Sequence, residues 1–187
     1  MSKVYWGLSN VYYALYDETL KTFDEPKPIK GAVNLGLSIE GDSSDFYADN
    51  VKYFSVSANN GYTGDLELAK FTDEFKVDAL GYIIDNRGGV AEVADANQKP
   101  FALLFEIKGD VSGRRYVYYN TTATRPTRSH ETEAGTREPQ TETSTLTIIP
   151  HLIDGVHYIG YYLEPTPENS VDYQAWFTEV QFPDTTP

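Results

Sequence analysis

Phe101-Ala102-Leu103-Leu104-Phe105-Glu106-Ile107, followed by Asp110-Val111-Ser112-Gly113 and then by Arg115-Tyr116-Val117-Tyr118-Tyr119, is the stretch that decides the fold. Phe101, Leu103, Phe105 and Ile107 alternate with Ala102, Leu104, Glu106 and Lys108, the two-residue period of a β-strand. The Asp-Val-Ser-Gly tetrapeptide supplies turn residues that reverse it into a second strand from Arg114 to Thr124. That return strand carries bulk on both sides, Val117, Tyr119 and Ala123 on one and Tyr116, Tyr118 and Thr122 on the other. One face is expected to meet the core and the other to meet something outside it.

The same period continues outward. Val33, Leu35, Leu37 and Ile39 alternate with Asn34, Gly36, Ser38 and Glu40, a half-buried strand. Tyr62, Gly64, Leu66 and Leu68 alternate with Thr63, Asp65, Glu67 and Ala69, and Asn60-Gly61, which tolerates positive φ, predicts a hairpin over residues 52–69. Shorter strands are expected near 11–16, 82–84, 90–93, 142–149 and 157–163, with a turn at Asn86-Arg87-Gly88-Gly89. β-Branched and aromatic residues make up about a third of the chain. The fold class is mainly β, a two-sheet antiparallel β-sandwich with one or two short flanking α-helices and a long loop.

The helices carry local signals. Thr72 caps Asp73 to Leu80, with acids in the first turn and Gly81 at the left-handed stop, so that Phe75, Ala79 and Leu80 face the sandwich. Thr166 and Pro167 open a second helix through about Phe177, although Val171, Tyr173, Trp176 and Phe177 also fit a strand. Arg125 to Thr141 holds two prolines, a glycine and no large apolar residue, and reads as a loop longer than a compact domain needs. Asp17 to Lys30 reads as a weaker linker. A length of 187 residues suits a single domain spanning 1–187.

Composition removes whole classes of chemistry. Without cysteine there is no disulfide framework, thiolate metal site or thiol nucleophile. A net charge of −13 opposes tight phosphate binding and docking on anionic lipid. The N-terminal residues lack the apolar run of a signal peptide and no window suits a membrane helix, which points to a soluble protein made in the cytoplasm. Phosphate-cradling loops and nucleophile elbows are missing; Gly36-Leu37-Ser38-Ile39-Glu40 lacks the closing glycine. His130-Glu131 lacks the second histidine of a zincin, and His151 and His157 are read as structural. Glu40, Asp42, Asp45 and Asp49 fail the EF-hand ligand pattern and read as a solvated acidic rim. Carboxylates such as Glu67, Glu106 or Asp65 have the type needed by a glycosidase, and nothing favours them. Arg114-Arg115 beside three tyrosines is better explained by cross-strand packing than by base stacking. Asn120-Thr121-Thr122 is a chance match to a glycosylation sequon.

Phe46-Tyr47-Ala48-Asp49-Asn50, Asn59-Asn60-Gly61-Tyr62-Thr63-Gly64-Asp65-Leu66-Glu67, Lys99-Pro100-Phe101-Ala102-Leu103-Leu104-Phe105, Ala123-Thr124-Arg125-Pro126 and Glu138-Pro139-Gln140-Thr141-Glu142-Thr143 resemble, in this order, the major tail proteins of long-tailed bacteriophages with non-contractile tails. Together they span about residues 10–180. The resemblance implies a tail-tube β-sandwich without the appended immunoglobulin-like domain of some members. It implies hexameric rings stacked into the virion's tail tube, assembled in the host cytoplasm, with no enzymatic activity and no cofactor. The implied partners are other copies of the chain, the tape measure protein, the tail terminator and baseplate proteins, and the double-stranded DNA that transits the lumen. Glu40, Asp42, Asp45 and Asp49 are then candidates for the lumen. Arg125, Arg128, Glu131, Glu133, Arg137 and Glu138, on the 125–141 loop, are candidates for ring stacking. The alternative is a carbohydrate-binding β-sandwich module using the chain's fifteen Tyr and two Trp.

Overall fold

The sheet grows outward from the hairpin quoted first. The computed structural model describes residues 6–41, 43–48, 51–130, 132 and 139–184. Its first strands are β1 (Leu8–Asp17), β2 (Thr22–Phe23), β3 (Lys27–Pro28), β4 (Ala32–Glu40), β5 (Ser43–Ala48), β6 (Val51–Ser57) and β7 (Gly61–Leu68), followed by helix α1 (Asp73–Leu80). After α1 come β8 (Ile83–Ile84), β9 (Val90–Ala91), β10 (Phe101–Ile107), β11 (Arg115–Ala123), β12 (Thr127–Arg128), β13 (Glu142–Ile149), β14 (His151–Ile153), β15 (Val156–Tyr158), β16 (Gly160–Leu163) and helix α2 (Ser170–Ala175). Every pairing is antiparallel. Ten strands share one sheet along β2-β1-β10-β11-β13-β7-β4, with β3 beside β1, β16 beside β11 and β12 beside β13.

This sheet curls over on itself. β1 and β4 approach each other without a ladder between them. One apolar cluster draws Tyr13 from β1, Phe101 and Leu103 from β10, Leu66 and Leu68 from β7, and Leu146 from β13. The two layers of this mainly β fold are therefore halves of one continuous sheet. Helix α1 stoppers one end: the Phe75 ring meets Tyr13 at 5.0 Å and Phe101 at 5.4 Å, and Ala79 and Leu80 are buried beside it. Local chemistry sets its bounds as expected. Thr72 Oγ1 accepts from Phe75 N–H (3.2 Å), and Gly81 at φ 74° ends the helix.

Residues 52–69 do not form the expected hairpin. β7 pairs with β4, from Ala32 opposite Leu68 to Glu40 opposite Gly61, and on its other edge with β13, whereas β6 turns back on β5. Gly61 serves a close approach rather than a hairpin turn: at φ 125° a Cβ there would lie 1.9 Å from the Ile148 carbonyl oxygen. The outer face of the β10–β11 hairpin is also covered from within. Ala102, Leu104, Val117 and Tyr119 pack against Trp176 and Val180, so the second bulky face meets the chain's own C-terminal segment.

Two further expectations change. Residues 17–30 are ordered within a single copy, because Asp17 accepts from Thr19 and Leu20 N–H, β2 and β3 pair with β1, and Ile29 is buried. α2 starts at Ser170, because Thr166 and Asn169 first close a turn on each other: Thr166 N–H donates to Asn169 Oδ1 (2.7 Å) and Asn169 N–H to Thr166 Oγ1 (3.3 Å).

Candidate assembly surfaces

At the end away from α1, the described residues leave the core open. Trp6, Leu8, Leu35, Leu37 and Ile107 line a cleft of about 380 Å³ between β1 and β4, with Phe105 at its back. Beyond Phe105, Tyr62, Tyr116, Tyr118 and Tyr162 line a second cleft of about 440 Å³. Phe105 stacks on Tyr116 at 5.1 Å and 9°, making one aromatic wall between the two. Burial pushes the Tyr118 hydroxyl up to about 12, so it stays neutral at physiological pH. The tyrosine rings turn on one another, Tyr62 to Tyr118 at 5.5 Å and Tyr116 to Tyr162 at 5.9 Å, and the Arg114 guanidinium lies 5.1 Å from the Tyr162 centroid.

Two strand edges are unpaired among the described residues. β4 is laddered only to β7 and carries exposed Val33 and Ile39; β16 is laddered only to β11. Exposed ladder groups of this kind are templates for pairing with another chain.

The outer face of β4, β7 and β13 has a different character. Its cross-strand rows run Asn34–Glu67–Thr143, Gly36–Asp65–Thr145 and Ser38–Thr63–Thr147. Thr145 Oγ1 donates to Asp65 (2.8 Å) and Thr141 Oγ1 to Glu67 (2.7 Å). No cation lies in these rows, so the face is polar and anionic. Glu40 ends β4 exposed, and Asp45 lies on β5 opposite Ser55. Asp42 and Asp49 lie outside the described residues. Sequence reasoning missed Asp65 and Glu67 as part of this surface because their β4 and β13 partners are far away along the chain.

Of the loop candidates, Glu131, Glu133, Arg137 and Glu138 lie outside the described residues. Arg125 and Arg128 anchor the loop's root. Arg125 pairs with Glu92 (3.3 Å) and donates to the Val93 and Ala94 carbonyls. Arg128, on β12, pairs with Glu142 (3.3 Å), which also accepts from Phe71 N–H (2.8 Å) and faces buried Lys76 at 3.8 Å. Loop root, helix α1 and β13 are thereby tied at one carboxylate.

The remaining candidates resolve into packing. Arg115 lies 3.9 Å from the Tyr173 centroid and pairs with Glu106 (3.1 Å). His151 is wedged between Tyr16 and Phe23, where burial lowers its pKa; His157 sits on β15 opposite Leu152. Among the described residues no group of three or more His, Asp or Glu is placed to hold a metal, and no helix is long and apolar enough to cross a membrane.

No protein-family model and no curated protein matches this chain. Similar folds occur among solved structures. A chain from the PVC sheath–tube complex of an extracellular contractile injection system in its extended state aligns with a TM-score of 0.48 and 11% identity, covering 87% of this chain and 94% of that one. The tube-terminating cap of the anti-feeding prophage gives 0.49 and 12%, covering 88% and 95%. The PVC sheath/tube terminator in the extended state gives 0.49 and 12%, covering 87% and 99%.

Proposed function

We propose that this chain is a structural subunit of a tail tube, forming hexameric rings that stack into the conduit for genome delivery, and that it is not an enzyme. The observation that carries the reading is β4, a nine-residue strand laddered on one edge only and beside an apolar cleft. Pairing its free edge with a neighbouring copy would satisfy the backbone and cover Val33 and Ile39 at once. The ordered motifs described above supply the non-contractile tail as the setting, with tape measure, terminator and baseplate proteins as tail partners. Electron microscopy of the purified protein at rising concentration tests it: rings or tubes support the reading, and monodisperse single copies at every concentration reject it. Against the rival, a sugar-stacking platform, the tyrosines of the 440 Å³ cleft face one another and Arg114 rather than solvent.

The lumen is assigned to the anionic face of β4, β7 and β13, with Asp65 joining Glu40, Asp42, Asp45 and Asp49. Fixed carboxylates within about a Debye length of the axis repel phosphate, so duplex DNA passes without adhering. Converting these five to Asn is expected to leave tubes intact (Glu40 becomes Gln) and to make them retain duplex DNA at low salt, with release as salt rises. Neutralised tubes that retain no more DNA than the parent would remove this face from the lumen.

A further inference from the structure

The end of the curled sheet that α1 closes also carries an apolar protrusion. After Gly81 the chain makes the short β8–β9 hairpin, where Ile83 is opposite Ala91 and Ile84 opposite Val90. Ile83 is 56% exposed and Ile84 54%, large apolar side chains with no cover among the described residues. The hairpin is held at its base: Tyr82 is buried in the core cluster, and the segment after β9 is bound by Arg125 through Glu92. Its turn is closed by Asp85, which accepts from Arg87 N–H (2.9 Å) and Gly89 N–H (2.7 Å). It is a fixed knob.

The apolar mouth lies at the other end of the same strands. α1 packs on Phe101, the first residue of β10, whereas the mouth is lined by Phe105 and Ile107 at its last residues. A knob at one end and a recess at the other cannot meet within a two-fold pair. They match head to tail, the arrangement that propagates into an open-ended polymer. Charge agrees with this direction. Lys108 beside the mouth has no carboxylate partner among the described residues, and Asp95 beside the knob has no cation there.

We infer that the β8–β9 hairpin of one copy inserts Ile83 and Ile84 into the mouth between β1 and β4 of the next copy. This rests on the tail-tube reading and adds to it the pair of surfaces that sets the polarity of the polymer. Both surfaces must be free in the soluble subunit and buried in the tube.

The chain's lack of cysteine makes the test direct. Two single variants, Ile84→Cys and Val33→Cys, are mixed, assembled and oxidised, with Val171→Cys on exposed α2 in place of Val33→Cys as the control pair. The expected result is a disulfide-linked dimer of the first pair, formed about tenfold more than in the control because contact raises the local thiol concentration. Tubes that form while the first pair crosslinks no better than the control overturn the inference and leave the tail-tube reading standing. A parent chain that never self-associates overturns both. Ile84→Asp, on an exposed hairpin, is further expected to keep the parent's thermal midpoint while abolishing tubes; normal tubes from it also count against the inference.

Discussion

Trp176→Ala is expected to destabilise the folded subunit by about 3–5 kcal/mol, the range for removing a fully buried large aromatic side chain. Trp176 has no exposed surface. Its ring packs 5.6 Å from that of Tyr161, its indole N–H donates to the Tyr116 carbonyl (3.4 Å), and its neighbours in the cluster come from β1, β10 and β11. This single side chain from the end of α2 covers a sheet face that would otherwise meet water. Against a total stability of about 5–15 kcal/mol the loss is large, and at about 2–4 °C per kcal/mol for a chain of this size it should lower the thermal midpoint by about 6–20 °C. Val171→Ala, at a position 76% exposed on the same helix, should change stability by less than about 0.5 kcal/mol. Chemical denaturation of both variants checks this. A loss below about 1 kcal/mol for Trp176→Ala would mean that the outer face of β10 and β11 is not sealed by this residue.

The contrast between what could and could not be read from the sequence follows from distance along the chain. The β10–β11 hairpin and the Thr72-capped helix are legible because their signals are local: turn residues between alternating strands in one case, a hydroxyl before and a glycine after a short helix in the other. The partner of β7 is not local. Asn60-Gly61 resembles turn chemistry, yet Gly61 is required by the Ile148 carbonyl from a strand more than eighty residues away. The cover supplied by Trp176 left one overlooked sign, since Phe101 to Phe105 is an unbroken apolar run rather than an alternating one, the pattern of a strand buried on both faces. The assembly surfaces were legible in kind but not in place: exposed margins and an acidic face follow from composition and period, while the rows that bring Asp65 and Glu67 beside β13 depend on long-range register.

Removing residues 129–141 and joining Arg128 to Glu142 through Asn-Gly is expected to leave the subunit folded and to abolish stacked tubes. Register makes the excision feasible. Arg128 and Glu142 are directly opposite each other in the β12–β13 ladder, so a two-residue type I′ turn can close it. The Arg128–Glu142 and Lys76–Glu142 pairs remain, and the specific loss is the Thr141–Glu67 hydrogen bond, worth about 1 kcal/mol. Circular dichroism and the denaturation midpoint should therefore stay close to the parent's. Assembly should not. The excised segment is polar, holds Pro139 and Gly135, and has no large apolar side chain with which to build a core of its own. A loop of this length is justified physically when a partner offsets its ordering cost, and the Arg125 and Arg128 anchors hold its root rigidly enough to present it to an adjacent ring. Sedimentation and electron microscopy should show single copies or isolated rings, with the concentration needed for tubes raised at least about 100-fold, equivalent to about 2.7 kcal/mol of lost contact. Tubes of parental length from the shortened chain would exclude this loop from stacking, while leaving edge pairing through β4 untouched.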